Sequence, residues 1–271
     1  MLHQKSLQLQ YEGFIKTPFL WYDKEIKGLE QFKLINNKQI TTFTTTIDKI
    51  PRLGKLVERF VSHQLKELAN ITILTENRQI QDDKTTIGEL DCLLLNNNSA
   101  IHLEIVYKFY LYDGTVGCNP IDHWIGPNRR DSFSKKIDKL KNKQLPLLYH
   151  PKTKDLLQKY NLEKTNIKQQ VYFKAQLFVP HHMLGNQFRL INNECIKGFY
   201  IPYKDINMFN DCKFYIPRKH DWLVIPHPNV DWLGFNTFQI KIFNFISEKS
   251  VPLCWLKKNN GELFKLFVVW W

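Results

Sequence analysis

Two carboxylates stand inside apolar, strand-like runs of this 271-residue chain. In Ile87–Tyr112, IGELDCLLLNNNSAIHLEIVYKFYLY, Asp91 interrupts Leu90–Leu95 and Glu104 interrupts Ile101–Val106. Lys108 follows four residues after Glu104. A carboxylate in a core strand is costly unless it is paired or bound to a cation. Two of them on neighbouring strands suit a hard cation such as Mg²⁺ or Mn²⁺, which takes oxygen ligands. Such a cation stabilises charge on a phosphate and acidifies a bound water, so the chemistry implied is metal-dependent phosphodiester cleavage. The same three side chains have a second reading without metal: a charge network that fixes strand register.

Positioning these groups requires a small set of elements. Pro51 opens PRLGKLVERFVSHQLKEL, in which Leu53, Leu56, Val57, Phe60, Val61, Leu65 and Leu68 recur at helical spacing, so a helix is expected over Leu53–Leu68. Ile71–Gln81, Thr85–Leu95 and Ala100–Tyr112 read as strands, the last two joined by a tight hairpin at Asn96–Ser99. Side chains alternate along a strand. His102, Glu104, Val106, Lys108 and Tyr110 therefore share one face, and Leu103, Ile105, Tyr107, Phe109 and Leu111 share the other. The first face is expected to carry the chemistry and the second to pack. Glu89 and Asp91 share a face of the preceding strand.

Further along, Gly114–Asn128 reads as a loop, Asp131–Leu148 as a helix, Asp155–Leu162 as a short helix and Val171–Val179 as a strand. Gly198–Tyr203 and Lys213–Pro217 are short and β-like, Asn236–Ser247 is helical, and Pro252–Lys257 with Glu262–Trp271 forms a terminal hairpin. Residues 1–50 form a lead-in, with an aromatic-rich Phe14–Tyr22 and a short extended Thr41–Ile47. The expected organisation is an α/β core over 51–180 with this N-terminal lead-in and a C-terminal α+β extension over 181–271.

The formal net charge is +12. That excess favours polyanionic partners, nucleic acid first and an anionic membrane surface second; a merely Lys-rich composition accounts for it equally well. The five cysteines, Cys92, Cys118, Cys195, Cys212 and Cys254, form no CxxC pair and no zinc spacing, which fits free thiols in a reducing compartment. The N-terminus has no apolar stretch of signal-peptide length, and no apolar window is long enough to cross a membrane. A cytoplasmic protein with no membrane attachment is expected.

The order of helix with Glu58, strand with Asp91, strand with Glu104 and Lys108, then helix and strand resembles the PD-(D/E)XK nuclease superfamily. The strings LGKLVE, GELD, HLEIVYKFYL and WIGPN also resemble a bacterial family catalogued only as a domain of unknown function and placed near those nucleases. The resemblance implies a restriction-endonuclease-like core, a central mixed sheet flanked by helices. It implies Asp91, Glu104 and the backbone carbonyl of Ile105 as ligands of Mg²⁺ or Mn²⁺, and Glu58 as an accessory acid. Lys108 would orient the attacking water, and Gln144 would contact a phosphate. The superfamily's lysine usually lies two residues after the second acid, where this chain has Val106; Lys108 lies one step further along the same face.

Trp124, in WIGPN, precedes Arg129 and Arg130. It reads either as a base-stacking ring beside two phosphate-binding arginines or as the aromatic anchor of a structured loop. Lys135, Lys136, Lys139, Lys141 and Lys143 line the next helix and read either as a backbone-binding stripe or as a solvated face. The reading as a whole is a metal-dependent nuclease acting on DNA or RNA. Its alternative is a non-catalytic nucleic-acid-binding or scaffold protein that keeps the nuclease fold.

Overall fold

A computed structural model describes residues 2–22, 26–32, 34 and 41–271; the remainder of the lead-in lies outside the described residues. The elements run α1 (Leu2–Ile15), α2 (Leu53–Lys66), β1 (Ile71–Asp82), β2 (Thr85–Asn96), β3 (Ser99–Tyr112), β4 (Trp124–Ile125), α3 (Phe133–Lys139), α4 (Lys154–Lys159), β5 (Lys168–Pro180), β6 (Ile196–Pro202), β7 (Lys213–Tyr215), α5 (Phe235–Ser247), β8 (Leu253–Lys257) and β9 (Leu263–Val269). The protein is mixed α/β. Its mixed sheet is ordered β1-β2-β3-β5-β6-β9-β8-β7, with β4 paired to β3. Contacts gather the chain into two discontinuous units, 19–107 with 135–174, and 1–18 with 108–134 and 175–271. The long strands β3 and β5 contribute to both.

The first of these units carries the acids. Its α2 buries Leu56, Val57, Phe60, Val61 and Leu65, the apolar stripe expected from the spacing. At about 1.5–3 kcal/mol per fully buried side chain, that stripe rather than any cap holds the helix down; Arg52 at its N-cap makes no side-chain cap bond. β1, β2 and β3 form an antiparallel meander. The β2–β3 turn is Asn97–Asn98, with φ of 46° and 67°. A two-residue hairpin turn of type I′ needs positive φ at both positions, and Asn tolerates it better than most residues, so NNN between two apolar runs suits this turn. Gly88 in β2 lies where a Cβ would come within 2.8 Å of the end of the Leu147 side chain, so a larger residue there would make that leucine shift.

The helix expected over Asp131–Leu148 is not continuous. It is α-helical over Phe133–Lys139, π-helical over Leu140–Gln144 and 3₁₀ over Leu145–Tyr149. Pro146 is the reason: it has no N–H to donate, and its ring crowds the carbonyl four residues back. The chain widens before the proline and tightens through it, which sets where Gln144 points.

The other unit holds α1, where the sequence reading had only a lead-in. Leu7, Gln10, Tyr11 and Phe14 are all buried, a helical stripe; Gln10, polar in that stripe, donates to Asp221 at 2.7 Å. Thr41–Ile47, expected to be extended, contains no strand. β6 runs parallel to β5 and to β9, while β8 is antiparallel to both β9 and β7. Phe238 and Ile242 of α5 pack on Phe214, Leu256, Leu266 and Val268. Among the described residues no helix is long and apolar enough to cross a membrane.

A candidate acidic metal site

The β2–β3 ladder is regular from Asn96↔Ser99 to Cys92↔Leu103 and stops there. Asp91 is the next residue on one side and Glu104 on the other, so both acids sit where the strands part. Asp91 Oδ2 accepts the Ile105 N–H at 2.9 Å, substituting a carboxylate for the next rung. In an antiparallel pair a residue aims its N–H and C=O toward the same neighbour. The Ile105 carbonyl is thereby directed to the side occupied by Asp91. The two acids are close enough that the charge of Glu104 is felt at Asp91.

Glu104 is fully buried. The face of β3 expected to carry the chemistry therefore also packs, since His102 and Tyr110 on it are equally buried. Its Oε1 faces His102 Nε2 at 3.0 Å, and its Oε2 accepts from Gln144 Nε2 at 2.5 Å. Lys136 Nζ in turn donates to Gln144 Oε1 at 2.6 Å. On the far side, Gln169 Nε2 reaches His102 Nδ1 at 3.0 Å and Leu145 O at 2.6 Å. An amide nitrogen only donates, so Nδ1 accepts and the proton sits on Nε2, pointing at Glu104. Burial lowers the His102 pKa to about 4, so the ring is neutral and the contact is a hydrogen bond, not an ion pair.

Glu58 and Lys55 of α2 form the outer edge. Lys55 Nζ donates to Glu58 Oε2 and to Asn77 Oδ1, each at 2.8 Å, and to Glu89. Burial alone would lower the Lys55 pKa, but its contacts with Glu58 and Glu89 raise it. Burial pushes Glu58, Asp91 and Glu104 all up to about 7. Asp91 feels Glu104 next, Glu58 also feels Asp91, and Lys136 offsets part of the rise at Asp91 and Glu104. Four carboxylates, Glu58, Glu89, Asp91 and Glu104, face two lysines, Lys55 and Lys136. Fully ionised, the cluster carries two uncompensated negative charges, the complement of one divalent cation.

The structure thus brings together Glu58, Asp91, Glu104, Ile105 and Gln144. It does not bring Lys108 to them. The Lys108 ammonium is held by Asp131 at 2.6 Å, and both residues belong to the other unit. Trp124 is also in that unit and only 2% exposed, in ring contact with Tyr112 and Phe188, so it is the anchor of a structured loop and its faces are closed to a base. Arg129 binds Asp113 at 2.7 Å and lies over the Trp271 ring, which fixes it as a strut of that loop. Arg130 is exposed.

Sequence reasoning passed over Lys136, treating it as one of five lysines on a helix. Its signal was position: Phe133, Lys136, Ile137 and Leu140 follow the i, i+3, i+4, i+7 spacing, so this half-buried lysine shares a face with three buried apolar residues. Lys135, Lys139, Lys141 and Lys143 are exposed. Gln169 and the role of His102 had no local signal, since their pairing joins residues 67 apart.

Among the described residues, no three or more His, Cys, Asp or Glu side chains are grouped to hold a metal ion. A cation held here would have to be completed by a peptide carbonyl and water beside the two carboxylates, the kind of oxygen set Mg²⁺ takes. No curated protein and no solved structure matches the chain. Residues 27–266 match the family described as Domain of unknown function (DUF1853), and the chain belongs to that family.

Proposed function

We propose that the protein is a metal-dependent nuclease with a restriction-endonuclease-like core, holding Mg²⁺ or Mn²⁺ on Asp91, Glu104 and the Ile105 carbonyl. The observation that carries this reading is the gathering of Glu58, Asp91 and Glu104 where β2 and β3 part, with Lys55 bonded to Glu58 and Lys136 reaching Glu104 only through Gln144. Acids perturbed by burial and by one another cluster at functional sites. Bound there, the cation would polarise a phosphate and acidify a water.

The chain's own groups divide the remaining work. His102, fixed by Gln169, holds Glu104 in one rotamer. Gln144 carries the positive field of Lys136 to the same carboxylate. Lys136 takes the part that the superfamily resemblance gave to Lys108, since it is the cation that both acids feel. Glu58 accepts or releases a proton near neutral pH. Nucleic acid, DNA or RNA, is the substrate class favoured by the +12 charge.

A second reading has its own support. Glu104 is fully buried with both oxygens bonded, as in a charge network that needs no cation, and a nucleic-acid-binding or scaffold protein would keep it so. Calorimetric titration with Mn²⁺ separates the two, alongside cleavage assays on single- and double-stranded DNA and RNA. The nuclease reading expects one saturable Mn²⁺ site and metal-dependent cleavage, both lost in Asp91→Asn and Glu104→Gln at unchanged fold. Absence of Mn²⁺ binding in the parent protein would leave the network reading standing.

A further inference from the structure

Lys265 lies in β9 among Leu263, Phe264, Leu266 and Phe267, and it is 4% exposed. Its ammonium donates to Gln176 Oε1 at 2.8 Å and to the Trp222 carbonyl at 2.6 Å. Both acceptors are neutral. Among the described residues no carboxylate forms an ion pair with it. Burial, and then Lys197, hold its pKa well below the ordinary lysine value. A buried lysine without a counter-charge is destabilising, and replacing such groups by apolar ones is often neutral or better. A fold that keeps one, and spends two fixed acceptors orienting it, places an amine for some purpose.

The same lysine lines a cavity of about 220 Å³. Gly13, Lys16 and Thr17 at the end of α1 form one wall, Lys197 of β6 and Gln176 of β5 another, and Leu223, Ile225, Pro226, Leu263 and Phe264 supply most of the surface. Gly13 is obligatory there, because a Cβ would fall 2.0 Å from the Leu223 carbonyl oxygen. Lys16 and Lys197 are exposed where Lys265 is buried. Three lysines and no acid therefore line one mainly apolar space. All of these residues belong to one unit, and none is shared with the carboxylate cluster.

We infer that this cavity binds a small organic anion, a carboxylate or phosphate monoester on an apolar body, with its head on Lys265 and its charge shared by Lys16 and Lys197. The apolar walls favour the body over a bare inorganic ion, and the volume limits it to about the size of a single substituted ring. The buried amine that lines it supplies the partner that a desolvated anion needs. Binding returns to Lys265 the counter-charge the fold withholds, so it raises the lysine's pKa and takes up a proton above that lowered value. Lys16 and Lys197 are the charged groups among the lining residues that face it, and both act against protonation until the anion arrives.

The test uses benzoate and phenyl phosphate as probes, with benzyl alcohol as the neutral control. Titration calorimetry on the full chain is run in two buffers of different ionisation heat. Saturable binding of at least one anion, at least about tenfold tighter than the alcohol, with net proton uptake, is expected. Lys265→Met should fold, weaken anion binding about tenfold or more and abolish the proton uptake, while leaving alcohol binding in place. Lys197→Gln should weaken it several-fold with uptake retained. Preference for phenyl phosphate over benzoate would identify the head group as phosphate, and the reverse as carboxylate. Equal binding of the alcohol and the anions, or no change in Lys265→Met, would overturn the inference and leave a plain apolar slot.

Discussion

The two units bury charge in opposite ways. In one, Glu58, Asp91 and Glu104 crowd together with two lysines that do not balance them, and every polar group in the cluster is tied by hydrogen bonds. In the other, Lys265 is alone, held by one side-chain amide and one carbonyl. The first is a networked excess of negative charge and the second a solitary positive one. Neither arrangement stabilises a fold by itself, because desolvation exceeds what neutral partners return. The sign of the deficit indicates what each site would accept, a divalent cation in one case and an organic anion in the other.

The comparison breaks first at Lys136. If the acidic cluster is a working site and not a strut, Lys136→Met should lower metal-dependent cleavage by about 10- to 100-fold, the usual cost of losing a group that supports a ligand. Mn²⁺ affinity should change much less, since the ammonium is not a ligand. Gln144→Ala should act in the same direction, because it cuts the link between Lys136 and Glu104. Single-turnover cleavage and Mn²⁺ titration on the same variants check this. Equal loss of binding and cleavage would show that Lys136 only holds the acids in place.

A smaller effect, of opposite sign in the two units, is the pH dependence of stability. Glu58, Asp91 and Glu104 have folded values of about 7, above their ordinary 4.5, 3.8 and 4.5. Between those limits the folded chain holds more protons than the unfolded one. Their contribution is therefore full below about 4 and lost as pH rises through about 7. Lys265 is held well below 10.5, so above its lowered value and up to 10.5 the unfolded chain holds the extra proton and stability rises with pH. Denaturant melts from about pH 5 to about pH 10 should show a falling limb that Glu104→Gln or saturating Mg²⁺ flattens, and a rising limb that Lys265→Met flattens. Either variant flattening the other limb would reverse the assignment.

Sequence legibility followed how local each signal is. The stripe of α2, the Asn97–Asn98 hairpin and the placing of Asp91 and Glu104 opposite one another all depend on neighbours in sequence, and all were readable. α1 was missed because Gln10 occupies a core position and only its partner Asp221, 211 residues away, explains it. The path of Asp131–Leu148 was misread because Pro146 breaks the hydrogen-bond pattern without ending the helical run. Lys136 and Lys265 share one cause of oversight. Lys136 was read only as one of a row of helix lysines and Lys265 drew no reading, although each stands among apolar neighbours that leave Lys136 half-buried and Lys265 buried.

The smallest effect should come from Lys108, which spacing alone had put among the site residues. Its partner Asp131 and the lysine itself have side chains 45% and 34% exposed, and an ion pair of that kind contributes about 0–1 kcal/mol. Asp131 also attracts Lys219, which lies 3.5 Å over the Trp222 ring and whose pKa burial lowers to about 8. Removing Lys108 therefore leaves Asp131 with a second cation close by, and it relieves Lys219 of a like charge. Lys108→Ala should shift the melting temperature little and leave both Mn²⁺ affinity and cleavage within about twofold of the parent. A loss of cleavage as large as that of Lys136→Met would return the catalytic lysine to β3. Lys136 would then be a counter-ion of Glu104 only, and the acidic cluster would resemble the solitary Lys265 more closely in being charge without its working partner at hand.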